Sequence, residues 1–184
     1  APVIDYDTLL APAADIPIGS EGLLSLPYLT GERTPYPDPL ARASFTGLTI
    51  RHSMAHCSRA VLEGVALQIR ANLAATQEIA GPVAQVILYG GGAKSSLWRE
   101  IIADVLGRPV SWTQTVETAG LGAAMLAGLG SGVFASLDEA RRRMRPAIRP
   151  QPASDHAAAY EAVFETYCRF ESRLLGIEGF VQQR

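Results

Sequence analysis

Three consecutive glycines, Gly90, Gly91 and Gly92, stand between an apolar run and a helical pattern in the stretch LYGGGAKSSLWRE, residues 88–100. Glycine loses more backbone freedom on folding than any other residue, so a series of three needs a reason. A glycine loop between a strand and a helix start can present backbone N–H groups and the positive end of a helix dipole to an anion. A tight turn explains the loop equally well, and both interpretations stay open at this point.

The loop matches neither of the two familiar phosphate-binding patterns. Lys94-Ser95 lacks the glycine before the lysine and the upstream spacing that a Walker loop requires. The third glycine of the G-x-G-x-x-G dinucleotide fingerprint is also missing. A dinucleotide-dependent oxidoreductase would further need an acidic residue at the end of the next strand, RPVSWTQT, where the chain has Thr and Gln and reaches Glu117 too late.

Other residues that could do chemistry give weaker signals. His52 and His56 are four apart, a spacing used by zinc-binding helices, but no glutamate follows His52 and no third ligand is evident, so we expect no metal site. No G-x-S-x-G elbow supports a hydrolase. The basic run RRRMR, residues 141–145, has no interleaved aromatic residues and predicts a solvated helix end rather than a nucleic-acid contact.

The elements around the glycine loop alternate between strand and helix. We expect strands at 23–29, 85–90 and 108–115, the second of them covered on both faces, and a further short strand or a turn at 43–49. We expect helices at 53–80, 96–106, 118–132 and 154–175. Ser136 and Glu139 form a capping-box pattern for a further helix. The helix at 118–132 has a small-residue surface suited to close packing. An apolar stripe should bury the helix at 53–80 through Met54, Cys57, Val61, Val65 and Ile69. The alternation predicts an α/β domain with part of its sheet parallel.

Composition restricts the class of protein. Of 184 residues, 48% are hydrophobic and 18% charged, which fits a globular chain, and a net charge of −2 gives no basic field for nucleic acid or anionic lipid. Two cysteines, Cys57 and Cys168, predict reduced thiols in a cytoplasmic protein. The sequence shows neither a signal-peptide pattern nor an apolar run of about 18 residues, so we expect no membrane partner.

Four stretches, in this order, resemble the C-terminal domain of the FGGY family of carbohydrate kinases, most of all the xylulose kinase branch. The stretch LPYLTGERTPYPDPLARASFTGLT is similar to that branch's characteristic loop, and SFTGLTIRHSMAHCSRAVLEGVAL to the second FGGY signature. YGGGAKSSLWREIIADVLGRPV resembles the family's adenosine-site segment, and ETAGLGAAMLAGLGSGVF the helix that follows it. The signature positions are occupied by Ala43, Phe45, Gly47, Leu48, His56, Ala60, Leu62 and Glu63, while Cys57 replaces a larger aliphatic residue.

The resemblance implies a ribonuclease-H-like, actin-like ATPase fold with a mixed sheet flanked by helices, and ATP with Mg²⁺ as cofactors. It implies that Gly91 and Gly92 pass under the ribose and α-phosphate, that Ser95 meets the adenine or ribose, and that Gly47 gives a backbone contact to the phosphates. The domain should cover 23–176, between an irregular lead-in segment, 1–22, and a tail, 177–184.

The resemblance also implies what a chain of this extent should lack. The family's first domain, with most contacts to the sugar, is absent, and no aspartate in a matching context supplies the catalytic base, so we assign no catalytic residue. We expect a sugar kinase portion, inactive alone, with a pentulose such as xylulose as the favoured acceptor. The alternative is a stand-alone nucleotide-binding or regulatory module without catalysis. An exposed cleft face would favour a homo-oligomer, and the oligomeric state stays open.

Overall fold

The computed structural model describes residues 6–35, 37–115 and 117–174, and for residues 6 and 7 the backbone only. Helix α2, Met54–Ala80, is the longest element among these residues. The expected tail at 177–184 lies outside the described residues. Ser53 caps the start of α2, and Gly81, with φ of +81°, ends it before Pro82. This confirms the helix expected at 53–80. Strand β1 and helix α3 pack against α2 on its buried side.

Two small sheets flank this helix. In the first, β1, Leu24–Leu26, pairs antiparallel with β2, Ser44–Thr46. In the second, β3, Ile87–Leu88, runs parallel to β4, Val110–Thr113, with Ile87 opposite Ser111. Strand β5, Ile148–Gln151, pairs antiparallel with β4, with Val110 opposite Gln151. The predicted mixed sheet is therefore present, although β3 is shorter than expected and Ile87 is 38% exposed rather than covered on both faces.

The remaining helices complete the chain. Helix α3, Ser96–Leu106, follows the glycine loop and stops at Gly107 in the left-handed conformation, as predicted. Helix α5, Leu137–Met144, begins at Ser136, whose Oγ accepts from the N–H of Glu139, while the Glu139 carboxylate reaches back to the N–H of Ala135. Helix α6, Ala157–Leu174, buries Tyr160 and Tyr167 in the core. None of the helices that the structure describes is long and apolar enough to cross a membrane.

The N-terminal segment differs from the irregular lead-in that the sequence suggests. Residues Tyr6–Leu10 form a short helix, α1, followed by a 3₁₀ helix at Ala11–Asp15 and another at Ser20–Gly22. Leu10 belongs to the main hydrophobic core, and Ala13 and Ser20 are fully buried. The segment folds because it packs against α2, a contact that its own sequence does not reveal.

The stripe expected to bury α2 is only partly buried: Cys57, Val65 and Ile69 are half-buried, and Ile69 packs against the core. Met54 is 70% and Val61 43% exposed, whereas the helix buries the face that carries Ala60, Leu67 and Ala71. The buried face includes Arg59, Glu63 and Gln68, three polar residues that a hydrophobic pattern cannot identify as core. With Phe45, Leu48 and Ile50, the exposed residues of α2 leave an apolar surface on this side of the molecule.

Helix α4, Thr118–Gly130, is a second correction. Its small residues were expected to allow close packing, yet none of its described residues is buried, and it packs mainly against α5. Leu126 is 64% exposed. The small-residue surface is therefore open in this chain.

Candidate functional site

The glycine loop joins β3 to α3 in three distinct conformational steps. Gly90 has φ of +85°, a value that favours glycine, and turns the chain out of the strand. Residues Gly91–Lys94 form one 3₁₀ turn, and Ser95 then caps α3 by accepting a hydrogen bond from the N–H of Trp98 at 3.3 Å. The strand, glycine loop and helix start predicted from the sequence are thus present.

The glycines of the loop are required for different reasons. A Cβ at Gly92 would overlap the indole ring of Trp98, so this residue must be glycine for the fold itself. A Cβ at Gly91 would meet no atom within 4 Å, and the residue is exposed. Packing against Trp98 is thus one reason for Gly92, and its contact with a ligand stays a prediction, whereas the bare backbone of Gly91 faces open space.

Arg99 stabilises the loop through hydrogen bonds to its backbone carbonyl groups, a role that the sequence did not reveal. One of its guanidinium nitrogens, Nη1, donates to the carbonyl oxygens of Ala93 at 2.7 Å and Lys94 at 2.9 Å. The guanidinium lies 3.9 Å from the centre of the Trp112 ring in β4, a cation–π contact. Burial lowers the pKa of Arg99 below its ordinary value, since the charged guanidinium loses water there. The side chain ties the loop to the sheet.

An apolar cavity of about 290 Å³ opens beside the loop, and we call it the glycine-loop cavity. Its size is near the lower end of the range of about 300–1,000 Å³ for small-molecule sites. Aromatic and aliphatic side chains of α2, β3 and α3 form its walls, with Gly92 and Ala93 at its edge. The lining residues are Val65, Ile69, Ile87, Leu88, Tyr89, Gly92, Ala93, Trp98 and Ile102. Such walls suit a flat aromatic ring.

Lys94 and Ser95 lie on another side of the loop, where they line a separate cavity with Leu10 and Ala14. Lys94 is exposed and is the single lysine of the chain. The Ser95 hydroxyl already accepts from Trp98, but it can still donate its own proton. Gly92 and Ser95 therefore line different cavities, while Gly91 between them is exposed.

Gly47, the fourth residue expected at the site, is on the β1–β2 unit and not on the glycine loop. It has φ of +88° and is exposed, just after β2 ends at Thr46. A Cβ at Gly47 would overlap the carbonyl oxygen of Gly22, so the close approach of these two backbones requires glycine here. The structure gives an internal reason for Gly47 and leaves its outer side open to solvent.

Glu63, an acidic position of the signature, is 2% exposed and accepts four hydrogen bonds. Its Oε1 accepts from the Gly19 N–H at 3.1 Å, the Arg59 Nε at 2.8 Å and the Tyr160 hydroxyl at 3.0 Å, and its Oε2 accepts from the Ser20 hydroxyl at 3.0 Å. Arg59 Nη2 also donates to the Tyr160 hydroxyl at 2.9 Å. We call these five residues the Glu63 cluster. Both oxygens of this buried carboxylate are therefore satisfied by hydrogen bonds from the protein.

Burial acts on the titratable partners of Glu63 in opposite ways. Burial alone would lower the pKa of Arg59, but the hydrogen bond to Glu63 and the attraction of its charge outweigh it and raise that pKa above the ordinary value. Burial, with the nearby Glu63 charge, raises the pKa of Tyr160 well above its ordinary range. The phenol therefore stays protonated and donates to Glu63.

The two histidines do not converge on a metal. Nδ1 of His52 accepts from the N–H of Thr49 at 2.9 Å, and Nδ1 of His56 accepts from the N–H of Ser53 at 3.1 Å. Each ring therefore caps a local turn instead of leaving a nitrogen pair free for one ion. Among the residues that the structure describes, no group of three histidine, cysteine, aspartate or glutamate side chains is arranged to hold a metal.

Comparison with known proteins places these features in a family. Residues 5–131 match the model of the C-terminal domain of the FGGY family of carbohydrate kinases. The chain belongs to the FGGY carbohydrate kinase family. It is 36% identical to the xylulose kinase of Bacillus subtilis over 168 residues, which cover 91% of this chain and 34% of that protein. It is also 36% identical to the gluconokinase of the same organism over 171 residues, covering 92% of this chain and 33% of the relative.

A solved FGGY structure agrees with the fold. The xylulose kinase of Rhodospirillum rubrum superposes with a TM-score of 0.77 at 29% identity, covering 97% of this chain and 35% of that one. The actin-like ATPase fold expected from the resemblance is thereby confirmed, with helices around a mixed sheet. The FGGY chain described here spans about a third of the length of these relatives.

Proposed function

We propose that the chain is the C-terminal, ATP-binding portion of a sugar kinase, which transfers the γ-phosphate of ATP to a sugar hydroxyl. Membership of the FGGY family supports the reaction class. The observation that carries the proposal is the exposed backbone of Gly91, which meets no atom of the protein on its Cβ side and borders the glycine-loop cavity through Gly92. A loop in this family with one glycine open to solvent has room for a ligand.

The residues of the loop fit an adenine nucleotide. The aromatic and aliphatic walls of the glycine-loop cavity would take the base, and Gly91 would let the ribose and α-phosphate lie against the backbone. Ser95 and Lys94 line the separate cavity on the other side of the loop, so the Ser95 hydroxyl would donate to a ribose that extends from the base across the exposed Gly91 backbone. Lys94 places a positive charge beside the loop. Bound ATP supplies the phosphoryl group, and Mg²⁺ neutralises its phosphates.

The Gly47 turn completes the proposed nucleotide contact. Its backbone is exposed and follows β2, and we assign it to the phosphates. Because Gly47 and Gly91 belong to different units of the fold, the phosphates would lie between the β1–β2 unit and the glycine loop. The site is only partly built by these residues, so the affinity of the chain alone should be near the millimolar level, about −4 kcal/mol.

A pentulose such as xylulose is the acceptor that we favour. The match to a xylulose kinase over 91% of the chain supports it. The identity to a gluconokinase is equal, so gluconate is the acceptor to test beside xylulose. We assign the catalytic base and most sugar contacts to the portion of an FGGY kinase that this chain does not match. The chain would contribute nucleotide binding to the complete enzyme.

Titration of the isotope-labelled chain with ATP and ADP, followed by NMR, tests the nucleotide site. We expect shifts of the amide resonances of residues 45–50 and 89–97. Shifts restricted to other regions would refute the assignment.

A chemical footprint gives an independent measurement, because Lys94 is the single lysine and is exposed. Acetylation of Lys94, read by mass spectrometry, should slow in the presence of ATP, while the N-terminal amine serves as an internal reference. Equal acetylation of Lys94 with and without saturating ATP would show that the loop does not contact the nucleotide.

A further inference from the structure

Four consecutive residues with positive φ form a left-handed turn at Gly19–Gly22. Their φ values are +76° for Gly19, +49° for Ser20, +54° for Glu21 and +91° for Gly22. Residues with side chains rarely adopt this region, and two of the four are not glycine. Such a conformation persists only where the surroundings determine it, and it is often found at functional sites.

The Glu63 cluster is what holds the turn. The carboxylate accepts from the backbone N–H of Gly19 through one oxygen and from the hydroxyl of Ser20 through the other. Ser20 is fully buried, so its hydroxyl has exchanged water for this one acceptor. Arg59 and Tyr160 donate to the same oxygen that accepts from Gly19 and hold the carboxylate in place. The turn therefore has its geometry set from helices α2 and α6.

The left-handed turn packs directly against the Gly47 backbone. The carbonyl oxygen of Gly22, the last residue of the turn, lies where a Cβ of Gly47 would be. Leu24 then pairs with Thr46, the residue before Gly47, in the β1–β2 ladder. The location of the Gly47 backbone is thus determined by where the turn places Gly22.

We propose that Glu63 is a positioning residue for nucleotide binding: it fixes the left-handed turn Gly19–Gly22, and the turn sets the Gly47 backbone that meets the phosphates. This rests on the proposed function. Glu63 itself is buried and touches no nucleotide. The carboxylate holds Ser20 in the turn, the turn places Gly22 against Gly47, and the Gly47 backbone contacts the phosphates. The base and ribose bind at the glycine loop.

Two single-hydroxyl deletions separate this role from general stability. Ser20→Ala removes the hydroxyl that donates to Glu63 from the turn. Tyr167→Phe removes a buried hydroxyl of α6 that donates to Gln68, outside the Glu63 cluster. Both side chains are buried, so the two variants are matched in kind. The measurements are the amide resonances of Gly22 and Gly47 without ligand, and the dissociation constants of ADP and adenosine obtained by NMR titration.

Ser20→Ala should move the resonances of Gly22 and Gly47, and it should weaken ADP binding about tenfold, because a small displacement of a contacting group has a large effect. Its adenosine affinity should stay within about twofold of the parent, since adenosine has no phosphate for Gly47 to meet. Tyr167→Phe should leave the Gly47 resonance and both affinities near those of the parent, because Tyr167 does not contact Glu63. Reduced stability alone would weaken ADP and adenosine binding alike, so a loss restricted to ADP and to Ser20→Ala indicates a change at the phosphate contact.

Several results would overturn the positioning role. These are an unmoved Gly47 resonance in Ser20→Ala, equal loss of ADP affinity in both variants, or equal loss of ADP and adenosine affinity in Ser20→Ala. A parent chain that binds neither adenosine nor ADP would instead refute the proposed function, and with it the nucleotide role of Glu63. The two failures are therefore distinguishable.

Discussion

Gly64 of α2 lies directly against Ser25 of β1, so closely that a Cβ at residue 64 would overlap the Ser25 carbonyl oxygen. The preceding residue, Glu63, binds Gly19 and Ser20. Two adjacent residues of one helix thus fix both the left-handed turn and the strand that follows it. The β1–β2 unit and its Gly47 turn are therefore held to α2 by contacts that depend on the helix backbone being bare at residue 64.

Gly64→Ala should destabilise the protein by about 1–3 kcal/mol, because the new methyl group must push β1 away from α2 in a packed interior. The matched control is Gly122→Ala in α4, where a Cβ meets no atom within 4 Å. Alanine is a better helix former, so this control should stabilise the chain by about 0.5–1 kcal/mol. Urea unfolding monitored by circular dichroism measures both. Equal free energies of unfolding for the two variants would contradict the packing described here.

Substitutions in the glycine loop should separate binding from folding. Gly92→Ala places a methyl group into the Trp98 ring, so Trp98 must move, and its fluorescence and the free energy of unfolding should both change. Gly91→Ala adds a methyl group in open space, so stability should stay within about 0.5 kcal/mol of the parent. Gly91→Ala should nevertheless weaken ATP binding. If it binds ATP as the parent does, the open side of Gly91 is not a nucleotide contact.

Three buried phenols predict a loss of stability at alkaline pH. Burial raises the pKa of Tyr28, Tyr160 and Tyr167 above the ordinary value. A neighbouring group raises each pKa further: Tyr167 acts on Tyr28, Glu63 acts on Tyr160, and Glu171 acts on Tyr167. The folded state keeps these protons when the unfolded state loses them above pH about 10. Their contribution to stability is therefore complete below pH about 10 and falls as pH rises, by up to about 1.4 kcal/mol per pH unit for each phenol.

Urea unfolding at a series of pH values between about 9 and 11 measures this slope, and ultraviolet absorbance reports phenolate formation. Tyr167→Phe should reduce the dependence of the unfolding free energy on pH by up to about 1.4 kcal/mol per pH unit, the equivalent of one proton, because the phenol is removed. Simultaneous ionisation of all six tyrosines near pH 10 in the folded protein would show that the three phenols are not protected.

The isolated chain should not phosphorylate a sugar. Phosphoryl transfer needs a held nucleotide, phosphates in line with the acceptor and a group at the attacking hydroxyl, and these residues supply only the first convincingly. A coupled assay of ADP release with D-xylulose and D-gluconate should give no turnover for the chain alone. Turnover should appear when the chain is joined to the N-terminal portion of an FGGY kinase. No turnover after joining, with nucleotide binding intact, would favour a regulatory module.

Local sequence signals predicted the elements that depend on local interactions. Helix α3 has the bounds expected from the sequence, 96–106, and its Ser95 cap and left-handed Gly107 are both local interactions at its ends. The end of α2 at Gly81 is equally local. Strand β5 was missed, because its pairing with β4 joins residues about forty apart and no pattern in Ile148–Gln151 announces it.

The failures at the site have the same physical origin. Hydrophobic spacing selected a stripe of α2 that is only partly buried, because the buried face contains Arg59, Glu63 and Gln68, whose partners include residues of distant segments. Family resemblance drew attention to Gly92 as a ligand contact, and the sequence did not reveal that Trp98, six residues later, also requires a small residue there. Arg99 carried no signal, since only the folded sheet places Trp112 under its guanidinium.

The Glu63 cluster also has a consequence for the order in which the chain folds. Its carboxylate joins Ser20, 43 residues earlier, to Tyr160, 97 residues later, so both links close long loops of chain. Closing long loops costs entropy before the contact is gained, and contacts of high sequence separation slow folding. The left-handed turn should therefore form only after α2 and α6 have docked, and amide protons in the turn should gain protection from hydrogen exchange late in refolding, after those of α3.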